Sequence, residues 1–168
     1  MGAPDHRKSA RAIGPIACNV LTVSDSRTEA TDESGRLIQE LVRAKGHRVA
    51  EYALIPNDPG RIAAVVAGFL DGPAQCLIVT GGTGAGRRDL TVETVTPLLE
   101  KLLPGFGELF RALSFQEIGT AAMLSRAVLG VAAGKPICCL PGSAGAVRLG
   151  VERLLLPELE HLVWTATR

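Results

Sequence analysis

Three short apolar runs, separated by two helical patterns, restrict the fold of this chain more than any other feature. The runs are rich in β-branched residues and read IACNVLTV (16–23), RVAEYALI (48–55) and CLIVT (76–80). Runs of this length and composition are typical of β-strands. The first and third are almost continuously apolar, as expected of strands that are covered on both faces of a parallel sheet.

Each segment between these runs has the apolar spacing of an amphipathic helix, over 32–46 and over 58–72. Gly46 and Gly72 stand where such helices end. The apolar faces consist of Leu37, Ile38, Leu41 and Val42 in the first helix and of Ile62, Val65, Val66, Phe69 and Leu70 in the second. A strand–helix–strand–helix–strand order predicts an α/β fold whose parallel sheet is covered by helices on both faces.

The second half of the chain continues the α/β pattern. TPLLEKLL (96–103) predicts a helix that starts at its threonine, with proline in the first helical position. GFGELFRAL (105–113) predicts another short helix, and SRAVLGVAAGKPICCL (125–140) predicts a β-hairpin around a turn of small residues. Ser143 is expected to cap a last helix, which Pro157 should kink or restart.

Length and charge limit the classes of protein to which this chain can belong. We expect 168 residues to form one domain, at 16–168, after a flexible tail at 1–15. A net charge of +1 and few aromatic residues argue against nucleic acid as a partner. No apolar stretch is long enough to span a bilayer, and the N-terminus is not a signal peptide, so we expect a cytoplasmic protein without a membrane partner.

The four cysteines lie inside apolar runs, and their spacing matches no zinc site. We expect them to be buried, reduced thiols. Cys138 and Cys139 are adjacent in a predicted strand, so their side chains should point to opposite faces of the sheet.

A glycine-rich loop, GGTGAGRRD (81–89), follows the third predicted strand. Ligands of doubly wound sheets bind beyond the carboxyl ends of the strands, and glycines allow backbone N–H groups to approach an anion closely. The loop lacks the lysine of a Walker motif, and Arg87 occupies the position of the third glycine of a dinucleotide fingerprint. Spacing alone therefore leaves a phosphate-binding loop and an ordinary glycine-rich turn as equal alternatives.

The wider loop sequence TGGTGAGRRDLTVE (80–93) resembles the signature of the MoaB/MogA family of molybdenum-cofactor biosynthesis proteins. The likeness runs from about residue 17 to the end of the chain, and it is closer to the MoaB branch. It is carried further by LTVSDSRT (21–28), DESG (32–35), GFGELFRALSFQEIG (105–119), LSRAVLGV (124–131) and LPGSAGAV (140–147).

This resemblance implies a three-layer α/β sandwich with a mostly parallel sheet and a closed homotrimer or homohexamer. It implies a site for molybdopterin, a pterin with a dithiolene and a terminal phosphate. Active members of the family adenylate that phosphate with ATP and Mg²⁺ and release pyrophosphate. The implied ligands are thus molybdopterin, nucleotide and Mg²⁺, and the implied partners are a second copy of the chain and other proteins of the same pathway.

The resemblance also assigns residues. Asp89 matches the family's magnesium-site aspartate and becomes the first catalytic candidate, although an aspartate before LTVE could instead cap a helix. Ser143 could bind phosphate or only cap a helix, and Arg126 could contact ligand or lie at the surface. The implied ligand contacts are Asp25, Ser26, Gly81, Gly82, Thr83, Gly84, Ser114, Ser125, Arg126, Pro141, Gly142 and Ser143.

One position departs from the family pattern. Active members carry PDE or PDD after the second strand, whereas this chain has Asn57 in the acid position and Asp58 one place later. Asp58 could supply the missing acid, and is the second catalytic candidate, or it could be the N-cap of the next helix. Two hypotheses follow: a molybdopterin adenylyltransferase, and a non-catalytic module that binds or carries molybdopterin or nucleotide.

Overall fold

The computed structural model describes residues 13–168 and is built on a six-stranded sheet with the strand order β2–β1–β3–β6–β5–β4. Strands β2, β1, β3 and β6 are parallel, while β5 runs antiparallel to β6 and β4 antiparallel to β5. The strands are β1 (Ala17–Val23), β2 (Arg48–Ile55), β3 (Cys76–Thr80), β4 (Lys101–Leu102), β5 (Val128–Ala132) and β6 (Lys135–Leu140). Most of the N-terminal tail predicted at 1–15 lies outside the described residues.

Helices cover both faces of the sheet, which confirms the predicted mixed α/β architecture. They are α1 (Glu33–Ala44), α2 (Pro59–Asp71), α3 (Thr91–Val95), α4 (Pro104–Ile118), α5 (Ala144–Val147) and α6 (Leu156–Ala166). Single 3₁₀ segments follow α3 (Thr96–Leu98) and α4 (Gly119–Leu124), and a π-helical segment (Arg148–Leu155) joins α5 to α6. Within residues 13–168, none of the helices is long and apolar enough to cross a membrane.

The two faces of the sheet form two apolar cores. Helix α2 packs Ile62, Val66 and Phe69 on one face, and α1, α4 and the C-terminal helical segments pack on the other. Cys138 and Cys139 lie in opposite cores, as strand alternation predicts. The four cysteines are all buried and free, and burial raises the pKa of the Cys139 thiol to about 12. These thiols therefore contribute to the core as small apolar groups.

The predicted hairpin at 125–140 is confirmed as β5 and β6. Its two-residue turn places Ala133 at φ 48° and Gly134 at φ 71°. Positive φ at both central residues is the conformation whose twist matches that of the flanking strands. The hairpin extends the sheet beyond β6, and it places the start of β5 beside the carboxyl end of β6, because Val128 pairs with Cys139.

The helix predicted at 96–103 is wrong. Only one 3₁₀ turn forms at Thr96–Leu98, and the chain then extends into β4. Backbone pairing with β5 determines this, because the Glu100 amide donates to Val131 O at 2.9 Å and the Leu103 amide to Leu129 O at 2.8 Å. The helix predicted at 105–113 is present but longer, over Pro104–Ile118.

The last helix begins as predicted, with the Ser143 hydroxyl accepting from the Ala146 amide at 3.2 Å. Pro157 interrupts its regular geometry, also as predicted. Proline has no N–H to donate to the carbonyl four residues earlier, and its ring crowds that carbonyl. The wider π-helical turn of Arg148–Leu155 absorbs this conflict immediately before α6 starts.

Candidate functional site

A cavity of about 670 Å³ opens at the carboxyl ends of β1, β3 and β6. The loops after these strands form its polar wall, as expected for ligand binding in a doubly wound sheet. Of the site residues predicted from the sequence, Asp58 and Arg126 do not line it. Those that do are Asp25, Ser26, Gly81, Gly82, Thr83, Gly84, Asp89, Ser114, Ser125, Pro141, Gly142 and Ser143.

The glycine loop turns sharply as it leaves β3, and only glycine fits at its first two positions. Gly81 has φ +92° and Gly82 has φ +64°, which are left-handed values. A Cβ at Gly81 would lie 2.2 Å from Val23 O, and one at Gly82 would lie 2.3 Å from Thr91 Oγ1. The loop backbone is therefore packed directly against β1 and α3.

All four carbonyl oxygens of residues 81–84 are held by groups outside the loop. The Thr91 hydroxyl donates to Gly81 O at 2.8 Å, and the Thr91 backbone amide donates to Gly82 O at 2.9 Å. Arg126 donates through Nε to Thr83 O at 3.0 Å and through Nη2 to Gly84 O. Arg126 thus contacts the loop backbone rather than the cavity.

The amides of residues 82–85 have no hydrogen-bond acceptor among residues 13–168. Each belongs to the same peptide group as one of the four anchored carbonyls. None of these peptides is cis, so each N–H points away from the side on which its carbonyl is held. The loop therefore presents a row of free donors, an arrangement that binds anions.

Asp89 folds back onto the glycine loop. Its Oδ2 accepts from the Gly86 amide at 2.9 Å, and its other oxygen has no hydrogen-bond partner among the described residues. The residue before α3 is Leu90, and no side chain caps this helix. Asp89 is therefore not the helix cap that the sequence left as an alternative. It lines the cavity with one carboxylate oxygen that has no hydrogen-bond partner among the described residues.

Asn57 connects the turn after β2 to the segment that carries Asp89. Its side-chain Oδ1 accepts from the Leu90 amide at 3.2 Å, and its backbone N–H donates to Asp25 Oδ1 at 2.8 Å. Asp58 instead accepts from the Arg61 amide at 2.8 Å as the N-cap of α2. The structure thus places Asn57, and not Asp58, at the cavity wall.

The loop after β6 repeats the pattern of anchored carbonyls. Gly142 O accepts from Ser34 Oγ at 2.6 Å and from Arg27 Nη2 at 2.9 Å. The amides of Gly142 and Ser143 have no acceptor among the described residues. Sequence reasoning missed Arg27 and Ser34, although both lie inside the motifs SDSRT and DESG that carry the family likeness.

Arg27 forms an ion pair with a buried carboxylate, that of Asp32. Asp32 Oδ1 lies 3.6 Å from Arg27 Nη1 and accepts from the Gly35 amide at 3.0 Å. The Tyr52 hydroxyl donates to Asp32 Oδ2 at 2.6 Å. Burial raises the pKa of Asp32, but these hydrogen bonds and the positive charge of Arg27 lower it below its usual value. Asp32 therefore stays ionised and keeps Arg27 beside the loop after β6.

The opposite wall of the cavity is largely apolar. Phe110, Ile118, Leu124 and Leu149 contribute to it, together with the polar residues of α4. One cavity thus combines a donor-rich end, where anionic groups fit, with an apolar end, where a ring fits. Within residues 13–168, no group of three or more His, Cys, Asp and Glu side chains could hold a metal ion.

Comparison with known proteins identifies the class to which this fold and cavity belong. Residues 19–161 match the model of a family described as "Probable molybdopterin binding domain". The chain belongs to this family of molybdopterin-binding domains, which confirms the resemblance seen in the sequence.

Within the family, the chain is similar to proteins of the MoaB type. It is 49% identical to molybdenum cofactor biosynthesis protein B of Halalkalibacterium halodurans, over 97% of this chain and 96% of that protein. It is 42% identical to the Bacillus subtilis protein of the same name, over 97% and 96% of the two chains.

Solved structures give the same result. A crystal structure of molybdenum cofactor biosynthesis protein B superposes with a TM-score of 0.86 at 45% identity, over 90% of this chain and 96% of that one. The tungsten cofactor synthesizing protein MoaB from Pyrococcus furiosus superposes with a TM-score of 0.83 at 34% identity, over 92% of this chain and 98% of that one. A MogA structure superposes with a TM-score of 0.80 at 27% identity, over 89% of this chain and 99% of that one. The predicted closeness to the MoaB branch agrees with these identities.

Proposed function

We propose that this chain acts in molybdenum cofactor biosynthesis by binding molybdopterin and adenylating its terminal phosphate. The observation that carries the proposal is the set of unpaired backbone amides at 82–84, 142 and 143, on residues of two loops that line one cavity. Two clusters of donors suit two phosphate-bearing ligands, because oriented backbone N–H groups bind phosphate oxygens without losing side-chain entropy. The names of the MoaB relatives supply the pathway.

The transfer step balances without a net proton change. An oxygen of the terminal phosphate of molybdopterin forms a bond to the α-phosphorus of ATP. The bond from that phosphorus to the oxygen bridging to the β-phosphorus breaks, and its electron pair leaves with pyrophosphate. The free amides are suited to stabilise the negative charge that gathers on the α-phosphoryl oxygens.

The cavity residues fit a magnesium ion that is shared with phosphate. Mg²⁺ is commonly held by one or two carboxylates together with substrate phosphates and water. Asp89 offers its unpaired oxygen, and Asp25 lines the same wall. When bound there, Mg²⁺ supplies positive charge against the phosphate oxygens and the leaving pyrophosphate.

The direct test is pyrophosphate release from purified protein with molybdopterin, ATP and Mg²⁺. We expect release that requires all three components and a product whose mass is that of molybdopterin plus AMP minus water. Omitting molybdopterin separates transfer from simple ATP hydrolysis. Tight binding of both ligands without any pyrophosphate would contradict the catalytic part of the proposal.

A second candidate function is a non-catalytic module that holds or passes on molybdopterin or nucleotide. It is favoured by Asn57, which supplies an uncharged amide where active members of the family carry an acid. Under this alternative, calorimetry detects binding of molybdopterin, while the assay for pyrophosphate stays at background.

Self-assembly is a further expectation, and the surface of the chain supports it. Large apolar side chains are exposed along β4, α4 and the following 3₁₀ segment: Leu102, Leu109, Phe115, Ile118, Met123 and Leu124. Exposed apolar side chains that lie together on a surface mark interaction sites. We expect a closed homotrimer or homohexamer, measured by light scattering at micromolar concentrations. Phe115→Glu should shift the mass toward the monomer and Arg148→Glu should not; a wild-type monomer throughout would contradict the assembly.

A further inference from the structure

We infer that Arg126 and Glu93 form a positioning pair that fixes the glycine loop from behind and orients its free amides toward the cavity. The inference rests on the proposed function of that cavity in phosphate binding. It changes the role of Arg126 from ligand contact to support, and it adds Glu93, which lines neither the main cavity nor the neighbouring one.

Arg126 contacts the glycine loop without lining the cavity that the loop borders. Arg126 precedes β5 and borders a separate cavity of about 410 Å³, whereas Thr83 and Gly84 line the main one. Its Nε lies 3.0 Å from Thr83 O, and its Nη2 donates to Gly84 O. The guanidinium therefore holds these two carbonyls without lining the cavity proposed for the ligand.

Holding these carbonyls fixes the direction of the next two amides. In a trans peptide, the N–H points opposite to the C=O. Anchoring Thr83 O directs the Gly84 amide away from Arg126, and anchoring Gly84 O does the same for the Ala85 amide. Thr91 anchors the first two carbonyls of the loop, so Arg126 accounts for half of the donor row.

The same guanidinium also reaches the segment that carries the proposed magnesium ligand. Its Nη2 lies 3.3 Å from Asp89 O. The amide of that peptide belongs to Leu90 and donates to Asn57 Oδ1 on the other side. One side chain thus sets the orientation of the glycine loop and of Asp89 together.

Glu93 sets the orientation of the guanidinium. It lies on α3, and its two carboxylate oxygens accept from Nη1 and Nη2 of Arg126, the second at 3.2 Å. The hydrogen bond from Arg126 lowers the pKa of Glu93, so the carboxylate stays charged. A two-point contact between planar groups fixes direction as well as distance, which lysine cannot reproduce.

The pair is too exposed to be important for global stability. The side chains are 32% and 48% exposed, and ion pairs of this kind contribute little to the free energy of unfolding. Its effect should therefore appear in the loop and in ligand affinity, while the melting temperature stays nearly constant. This distinction makes the inference testable with folded variants.

The test compares Glu93→Gln and Arg126→Lys with a matched control, Arg148→Lys, from an exposed pair in which Arg148 lies 3.6 Å from Glu152. Hydrogen exchange of the Leu90 and Thr91 amides, both hydrogen-bonded in the wild type, reports on the loop without any ligand. Both pair variants should exchange these amides at least about fivefold faster, as local opening becomes easier, and should bind Mg-ATP more weakly by a similar factor. The control should change neither quantity.

Unchanged exchange in both pair variants would overturn the inference. Weaker Mg-ATP binding by Arg126→Lys alone, with normal exchange and normal behaviour of Glu93→Gln, would also overturn it and make Arg126 a direct ligand contact. Faster exchange in both variants, in a protein whose wild type binds no Mg-ATP, would support the positioning pair and count against the nucleotide-binding function instead.

Discussion

Asp89→Asn is expected to lower the rate of pyrophosphate release at least about hundredfold, or roughly 2.7 kcal/mol in the barrier, while leaving the fold unchanged. The structure explains why the two effects separate. Asparagine keeps an oxygen that can accept from the Gly86 amide, now bonded to Asp89 Oδ2 at 2.9 Å. It removes the negative charge that a hard cation such as Mg²⁺ requires.

Space around this carboxylate supports the conservative choice of asparagine. A Cβ at Gly84 would lie 2.6 Å from Asp89 Oδ2, and one at Gly86 would lie 2.8 Å from it. The loop thus wraps closely around the side chain, and a longer residue such as glutamate would displace it. Asparagine has nearly the same shape, so a loss of turnover reports on charge rather than on packing.

The measurement is the turnover number at saturating ATP and Mg²⁺, with the melting curve of each variant. Asp71→Asn, at the exposed end of α2, removes the same charge outside the cavity and serves as the control. Normal turnover of Asp89→Asn with a wild-type melting curve would limit Asp89 to shaping the loop. Loss of the cooperative melting transition would show that the carboxylate is needed for folding, contrary to the geometry of the loop.

Local patterns predicted the part of the fold that positions the site. The order β1–α1–β2–α2–β3 follows from apolar spacing within each segment, and the hairpin follows from two apolar runs joined by small residues. The helix prediction for segment 96–103 failed because the secondary structure of this segment depends on pairing with β5, about thirty residues further along the chain. Its helical spacing is real, but the backbone pairing of Glu100 and Leu103 with that strand outweighs it.

The residues that line the site could be predicted from the sequence, but the side chains that hold its loops in place could not. Glycines after a buried strand, together with the family likeness, led to the loop and to Asp89. The roles of Arg27 and Ser34 depend on contacts with Gly142 O, more than one hundred residues away. A motif alone leaves open whether Arg126 contacts ligand or lies at the surface, and only the structure shows that it donates to Thr83 O and Gly84 O.

Asn57→Asp is expected to raise turnover at least about tenfold, or roughly 1.4 kcal/mol in the barrier. An aspartate retains the oxygen that accepts from the Leu90 amide at 3.2 Å, so the connection to the Asp89 segment is kept. It adds a carboxylate at the wall that Asp25 and Asp89 share. Two or three carboxylates around the phosphates hold a magnesium ion better than one, and a neutral amide cannot supply that charge.

Asp58 provides the comparison that decides the cause of such a gain. It caps α2 through the Arg61 amide at 2.8 Å, and asparagine is an equally good N-cap. Asp58→Asn should therefore keep both stability and turnover. If it abolishes turnover instead, Asp58 already supplies the second acid and the added charge at 57 should change little. If neither variant alters turnover, the turn after β2 lies outside the chemistry, and the catalytic end of the cavity is confined to the glycine loop and Asp89.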